Sequence, residues 1–295
     1  MTKTAFIAIV GSPNVGKSSI LNKLLGQKLA IVSNKPQTTR TKIMGVLTKG
    51  DTQLVFIDTP GFHKPRTKLG EKMVKAVSDS IAGVDACLFV VDAKIGMKEA
   101  DKELLEKVKA EKVPVILALN KIDTLQDKSQ LIESISLFDS LHKFEAIVPT
   151  SATKDINLED LEAELMKLAQ PSGFFFPEDT LTDQPERVIA AEMIREKMLR
   201  LLSEEIPHGI AVEVESMRER ENSDLMDINA VIYCEKESHK GIIIGKQGSM
   251  LKKISTYARE DMEEFFMCRV NLRCWVKVKP DWRNREGLIR SFGLD

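Results

Sequence analysis

No apolar run in this chain approaches the roughly 20 residues needed to cross a bilayer, and no leader-like pattern opens it. A membrane transporter is excluded on that ground, and the expectation is a cytosolic protein. Cysteine is scarce. The four present, Cys87, Cys234, Cys268 and Cys274, form no metal-like pairs and suit a reducing compartment. Net charge is nearly absent too, with 43 basic side chains against 44 acidic ones. The whole-chain balance therefore names no partner, and the local distribution of charge has to. Internal repeats and low-complexity segments are not visible.

What is there is ordinary globular composition, 43% hydrophobic and 29% charged over 295 residues, a length that favours about two domains. Up to residue 170 apolar runs alternate with helical patterns. "AFIAIV", "LVFID", "CLFVVDA", "VPVILALNK" and "AIVPTSA" read as parallel strands buried on both faces. Helical segments are expected between them, among them Ser18–Leu25, Ala100–Ala110, Ser129–Leu141 and Leu158–Ala169. This is the alternation of a doubly wound α/β sheet, whose ligands sit at the carboxyl ends of the strands. "TKIMGVLTKGDTQLVFID" turns at Lys49-Gly50-Asp51 and predicts one antiparallel hairpin in that sheet.

"QPSGFFFPEDTLTDQP", Gln170 to Pro185, breaks the rhythm with prolines and glycine and reads as a linker, its phenylalanines packed on a domain surface. A helix is expected from Glu186 to Glu205, with Val188, Ala191, Ile194, Met198 and Leu201 on its apolar face. Strands "GIAVEVESM" and "INAVIYCE" follow, then "GIIIGKQGSMLKKISTYAREDMEEFF" and a last strand "RVNLRCWVKVK". The residues themselves give the order α-β-β-α-β, a compact α+β unit.

Chemistry is concentrated in the first half. Gly11-Ser12-Pro13-Asn14-Val15-Gly16-Lys17-Ser18 follows a strand and opens a helix. Its glycines let backbone N–H groups turn around an anion, and the helix N-terminus adds partial positive charge. Lys17 is expected to reach the outer phosphates and Ser18 to ligate Mg²⁺. In Asp58-Thr59-Pro60-Gly61 the strand-end carboxylate can hold Mg²⁺ through a water and Gly61 can offer its N–H to a γ-phosphate. Asn120-Lys121-Ile122-Asp123 is the base reader. Asp123 can accept both guanine donors, which adenine lacks, and a mismatch would leave a carboxylate unpaired. Ser151 and the Ala152 N–H are placed to touch the guanine oxygen. Thr39, just before Arg40, is chosen as second Mg²⁺ ligand, with Thr38 as runner-up.

Together these segments resemble the motifs of the translation-factor-related GTPases. One position departs from the signalling members, which commonly carry a glutamine after Asp-x-x-Gly; here it is Phe62, followed by His63. In related GTPases with a hydrophobic residue there and Asn in the cradle, that Asn helps hold a monovalent cation. Asn14 therefore has two readings, a K⁺ ligand or a turn residue.

In the second half, Gly245-Lys246-Gln247-Gly248 stands in a stretch, Lys240 to Arg259, with five basic residues and no acidic one. Lys252 and Lys253 fall on the outer face of the helix that follows. From Arg269 to Arg290 seven basic residues face two acidic ones. A glycine-flexed loop beside a basic helix is the form in which KH domains clamp four nucleotides of single-stranded RNA.

With "NVGKSSILNKLLGQK", "PQTTR", "FFFPED", "IREK" and "WVKVK", nearly the whole chain resembles the Era family. The resemblance implies a P-loop GTPase domain with a mostly parallel doubly wound sheet over 1–170 and a linker over 171–185. A type II KH domain of order α-β-β-α-α-β over 186–280 and a basic tail over 281–295 would complete the chain. It implies a monomeric, Mg²⁺-dependent GTPase that binds GTP and GDP and contacts small-subunit ribosomal RNA near its 3′ end. Assistance to 30S subunit maturation, coupled to growth and the cell cycle, and peripheral contact with the inner membrane come with it. A reading from another class makes the C-terminal unit a protein-docking or membrane-adhering module.

Overall fold

In the computed structural model, residues 1–35, 37–127, 129–203 and 206–294 are described. The chain divides into two compact units. The first comprises Met1–Ala30, Thr39–Arg66 and Gly70–Asp183; the second comprises Ile31–Thr38, Thr67–Leu69 and the chain from Gln184 onward.

The first unit is built on the sheet the apolar runs anticipate. Its strands are β1 (Lys3–Val10), β2 (Ile43–Lys49), β3 (Thr52–Asp58), β4 (Ala86–Asp92), β5 (Val115–Asn120), β6 (Ala146–Pro149) and β7 (Gln170–Pro171). The order is β2-β3-β1-β4-β5-β6, with β7 pairing β1. β1, β3, β4, β5 and β6 run parallel, whereas β2 is antiparallel to β3 from Ile43↔Asp58 to Lys49↔Thr52. Every residue of β4 and β5 is buried, which is why these strands lack polar alternation.

Helices α1 (Lys17–Leu25), α2 (Lys68–Ile81), α3 (Glu99–Ala110), α4 (Ser129–Leu141) and α5 (Leu158–Met166) alternate with the strands. α2 is not among the segments named above, although Leu69, Met73, Val77 and Ile81 are buried at an interval of four. One core layer brings Val77 and Ile81 of α2 and Leu104, Leu105 and Val108 of α3 against Ala8, Val10, Phe89 and Leu117 of the sheet. α1 ends at Gly26, whose φ of +68° suits a left-handed cap.

The segment read as a linker lies on this unit. Gln53 Nε2 donates to Phe176 O at 2.9 Å, and Gln53 Oε1 accepts the N–H groups of Phe175 and Phe176. The Phe6 and Phe175 rings meet edge to face, 5.0 Å between centroids. Val46 N–H donates to Leu181 O at 2.8 Å and Thr182 Oγ1 to Met44 O at 2.6 Å.

The second unit contains α6 (Glu186–Leu201), β8 (Ala211–Glu219), β9 (Leu225–Cys234), α7 (Glu237–Ile244), α8 (Ser249–Phe266), β10 (Arg269–Val278) and α9 (Glu286–Ser291). Its sheet runs β10-β9-β8, with β8 antiparallel and β10 parallel to β9, and a bulge between Val214 and Ser216. The order is α-β-β-α-α-β followed by α9. The stretch "GIII" closes a two-turn helix, α7, that Gly245 ends.

α6 corrects the sequence expectation twice. It stops at Leu201, with Leu202 already extended, and Glu204 and Glu205 lie outside the described residues. Its buried surface also takes in Ile189, Ala190 and Met193, whereas Val188 is exposed. Arg195, Glu196 and Lys197 are buried as well, because each charge has partners that a hydrophobic pattern cannot register. Lys197 pairs with Glu196 and with Asp261 of α8. Glu196 accepts Val32 N–H at 3.0 Å and Arg200 at 2.9 Å. Arg195 bonds Glu192 and the Thr38 carbonyl.

Residues 281–294, expected as a tail, are packed. Trp282 is fully buried, its Nε1 donates to Gly209 O at 2.9 Å, and Ile289 is buried with it. Arg283 pairs with Glu235 at 2.7 Å.

Candidate active site

The phosphate loop joins β1 to α1 at the carboxyl end of the sheet. Two of its glycines are sterically required. A Cβ at Gly11, where φ is +149°, would stand 2.3 Å from Val90 O; one at Gly16, where φ is +104°, would stand 2.1 Å from Asn120 Nδ2. Lys17 is buried, and its Nζ donates to Gly11 O and Ser12 O at 3.1 Å each. Burial brings the Lys17 ammonium down to about 8, opposed by the Asp58 and Asp101 carboxylates.

Three oxygen side chains from three segments converge beside that lysine. Ser18 Oγ donates to Asp58 Oδ2 at 2.6 Å and lies 3.0 Å from Thr39 Oγ1. Asp58 is wholly buried and its Oδ1 has no hydrogen-bond partner among the described residues. Burial pushes its carboxyl up to about 6, against the pull of Lys17 and the Ser18 hydroxyl. A hard divalent cation fits this set, since two hydroxyls and a carboxylate with an unspent oxygen are its donor chemistry. Thr38 is turned away: its Oγ1 donates to Lys35 O at 2.6 Å.

Asp58 leads into a loop that abuts the cradle. Thr59 Oγ1 donates to Ile9 O at 2.8 Å. A Cβ on Gly61 would lie 2.6 Å from Pro13 Cα, so glycine lets the two loops touch. Phe62 N–H donates to Gly11 O at 3.2 Å, while its ring is buried in the core with Val10, Phe89 and Leu105. The Phe62 side chain is therefore a packing group. His63 Nδ1 lies 2.7 Å from Gly61 O, so one ring nitrogen is already committed.

The base-reading loop is braced on the same cradle. Asn120 Nδ2 donates to Val15 O at 2.8 Å, and Asn120 Oδ1 accepts Ala152 N–H at 3.1 Å. The Ala152 amide, expected to face the guanine oxygen, is thus held by Asn120, the acceptor beside it. Lys121, left-handed at φ 66°, donates to Asn14 O and pairs with Asp92 at 2.8 Å. Ile122 N–H donates to Thr150 O at 3.2 Å. Asp123 is exposed and receives Ser151 Oγ at 2.5 Å. Ser151 therefore orients the carboxylate.

Sequence reasoning missed Asp92 and Asp101. Asp92 ends the apolar run "CLFVVD", a position where a strand-end carboxylate could have been flagged. Asp101 looks like an ordinary first-turn acid and carries no such signal. Asn14, exposed and at φ 64°, sits at the mouth of the cradle.

In the second unit, Gly245 and Gly248 have φ of +74° and +78°, and Gln247 between them is also left-handed at 51°. A Cβ on Gly245 would lie 2.7 Å from Met250 Cβ, whereas Gly248 faces open space. Lys246, Gln247, Lys252 and Lys253 are exposed, and α8 buries Ile254, Ala258 and Met262 on its other side. The loop therefore joins α7 to α8 with the Lys246 and Gln247 side chains outward, while the N–H groups of Gly245 and Gly248 donate to Gly241 O and Gly245 O.

A family model described as 50S ribosome-binding GTPase matches residues 6–121, and one described as KH domain matches residues 205–283. GTPase Era of Clostridioides difficile is 48% identical over 295 residues, spanning 100% of this chain and 99% of that protein. The chain belongs to the Era family of GTPases. GTPase Era of Ruminiclostridium cellulolyticum is 50% identical over 291 residues, covering 99% of this chain and 97% of its own. Two solved relatives superpose with a TM-score of 0.96 at 39% identity. One is a point variant of Era from Aquifex aeolicus bound to GDP and tetrafluoroaluminate, covering 99% of both chains. The other is Era with MgGDPNP and nucleotides 1506–1542 of 16S ribosomal RNA, covering 100% of this chain and 99% of its own.

For an Era-family GTPase the assembled loops have a direct chemical reading. Lys17, Ser18, Thr39 and Asp58 gather beside the loop of residues 11–18, and Asp123 stands on the loop braced against it. No helix among the described residues is long and apolar enough to cross a membrane.

Proposed function

We propose that this GTPase is a molecular switch whose second unit binds small-subunit ribosomal RNA near its 3′ end and assists maturation of the 30S subunit in the cytoplasm. The observation that carries the reading is full-length likeness, at a TM-score of 0.96, to Era holding MgGDPNP and 16S RNA together. The exposed Gly245–Gly248 loop beside Lys252 and Lys253 supports it. The RNA in the solved relative belongs to the small subunit.

In this reading Ser18, Thr39 and Asp58 would hold Mg²⁺, which would offset phosphate charge. Lys17 and the amides of residues 14–18 cradle the phosphates, and Gly61 reports on the γ-phosphate. Asp123 reads guanine. Asn14 would hold K⁺, whose positive charge would stabilise charge developing in transfer. Gly245, Lys246, Gln247, Gly248, Lys252 and Lys253 carry the RNA contact. The working protein is a monomer, with nucleotide handled by Met1–Asp183 and RNA by the chain from Gln184 onward.

A 3′-end RNA oligonucleotide titrated into GTP-analogue-bound, GDP-bound and nucleotide-free protein tests the switch. RNA affinity is expected to differ between states by a coupling of about 1–3 kcal/mol, and RNA must shift nucleotide affinity by the same factor. Equal RNA affinity in all three would leave two tethered binding modules. Crosslinking in cells, with sequencing of bound fragments, checks the RNA; recovery of membrane or protein partners alone would favour the docking reading.

A further inference from the structure

Asp101 lies in the first turn of α3, a place where acids are usually solvated, yet it is 1% exposed. Its two oxygens serve two different segments. Oδ2 accepts Lys98 N–H at 3.0 Å, an ordinary cap for the helix start. Oδ1 accepts the Ser12 N–H at 3.2 Å, 89 residues away in the phosphate loop. Ser12 is itself buried, and its carbonyl, with that of Gly11, receives Lys17 Nζ. One buried contact chain thus runs from α3 through Ser12 to the phosphate-handling lysine.

The segment that ends at Asp101 begins at a second anchor. Asp92 Oδ2 pairs with Lys121 of the base-reading loop at 2.8 Å. Asp92 Oδ1 accepts the Lys94 and Ile95 N–H groups at 3.1 and 3.2 Å, turning the chain, and Gly96 completes the turn at φ +70°. Residues 92–101 are therefore fastened to the base reader at one end and to the phosphate loop at the other.

The geometry points to Asp101 as a positioning residue for GTP hydrolysis: it touches no nucleotide, and through Ser12 it fixes the first limb of the phosphate loop that aims Lys17. A carboxylate is required because both partners are N–H donors from separate segments. An asparagine has nearly the same shape but offers one acceptor and one donor, and would set an N–H against an N–H. Asp101→Asn opens no cavity, so its effect isolates the two bonds. Lys98→Pro removes the capping N–H and leaves the Ser12 bond in place, since proline has no N–H, with a small tightening of the backbone from the Lys98 φ of −91°.

The test measures GDP and guanosine affinities and GTP kinetics for the full chain with Mg²⁺ present. Asp101→Asn is expected to weaken GDP binding and raise KM for GTP roughly tenfold or more, as loss of an outer-shell partner does. Guanosine, which lacks phosphates, should keep its affinity within about twofold, and Lys98→Pro should behave as wild type toward GDP. Parallel loss of GDP and guanosine affinity, an unchanged GDP affinity, or an equal loss in Lys98→Pro each overturns the assignment. In the wild-type protein the Ser12 amide should exchange slowly with solvent without nucleotide; fast exchange overturns it even if Asp101→Asn fails to fold.

Discussion

Ser18 Oγ donates to Asp58 Oδ2 across 2.6 Å, joining the first turn of α1 to the end of β3, 40 residues later in the chain. Asp58 itself is wholly buried, and that burial holds its carboxyl up to about 6 despite Lys17 nearby. The structure thus keeps a reluctant anion where a cation is wanted.

Protons should compete with Mg²⁺ there. Mg²⁺-dependent GDP affinity is expected to be flat above about pH 6 and to fall by roughly tenfold per pH unit below it, because ligation needs the ionised carboxylate. Asp58→Asn should lose this acid limb and bind Mg²⁺–GDP more weakly near neutrality. For the nucleotide-free protein the sign is opposite to that of a salt-bridged carboxylate. The folded state holds this proton more tightly than the unfolded one, so the group's contribution to stability declines between 3.8 and about 6 as pH rises. Calorimetric titration across that range checks both; a limb unchanged in Asp58→Asn would assign the titration to the nucleotide.

Asp123→Asn should move preference from GTP toward xanthosine triphosphate, by roughly 100-fold or more. An amide offers a donor where guanine also has one, while xanthine offers an acceptor. Competition binding with both nucleotides measures the change. Unchanged preference for GTP would remove Asp123 from base reading.

Hydrolysis is expected to be several-fold faster in potassium than in sodium chloride at equal ionic strength. The Phe62 ring is in the core and offers the water nothing, which leaves the role of an extra positive charge open. Asn14→Ala should abolish the difference. Asn14→Gly separates ligation from turn geometry, since glycine accepts the φ of 64° without a ligand oxygen in its side chain. Equal rates in both salts, or a full potassium response in Asn14→Gly, would make Asn14 a turn residue.

Replacing Lys246 and Gln247 with Asp should weaken RNA binding at least about tenfold by repelling phosphates. GTP binding should be untouched. Gly245→Ala should act through shape instead, because its Cβ would meet Met250 at 2.7 Å on a left-handed backbone. Filter binding with a 3′-end oligonucleotide reads both, and retained affinity in the double variant would move the RNA contact elsewhere.

Lys197→Met should destabilise the second unit by about 3 kcal/mol, since removing one member of a buried ion cluster strands the other charges. Glu196 is fully buried and Asp261 lies on α8, so neither carboxylate regains water easily. Chemical denaturation followed through the tryptophans checks the value. A neutral result would mean the cluster is hydrated.

Most of the sheet was legible because its strands are buried on both faces, and burial on both faces writes an unbroken apolar run. The cradle and the base loop were legible for another reason: short contiguous segments carry their chemistry. α6 was harder. A hydrophobic pattern treats Arg195, Glu196 and Lys197 as surface, whereas the fold buries them by supplying partners from α8 and from residues 32–38. The same blindness hid Asp101, whose Ser12 partner is 89 residues distant. Trp282 was lost among the basic residues around it, since one buried ring leaves no periodicity.

The strip from Phe175 to Thr182 has a consequence for solubility. β2 is the last strand on its side of the sheet, and an uncovered last strand invites other chains to add to it. Leu181 O takes the outward Val46 N–H, and Thr182 Oγ1 takes the outward Met44 carbonyl, so the strand that could recruit a neighbour is occupied by its own chain. A fragment cut after Gln170 would uncover that edge together with the Phe6 ring face that Phe175 covers. Such a fragment should aggregate, while one extended to Asp183 should remain monodisperse; the smallest soluble nucleotide-binding piece of this protein ends where its sheet stops being guarded.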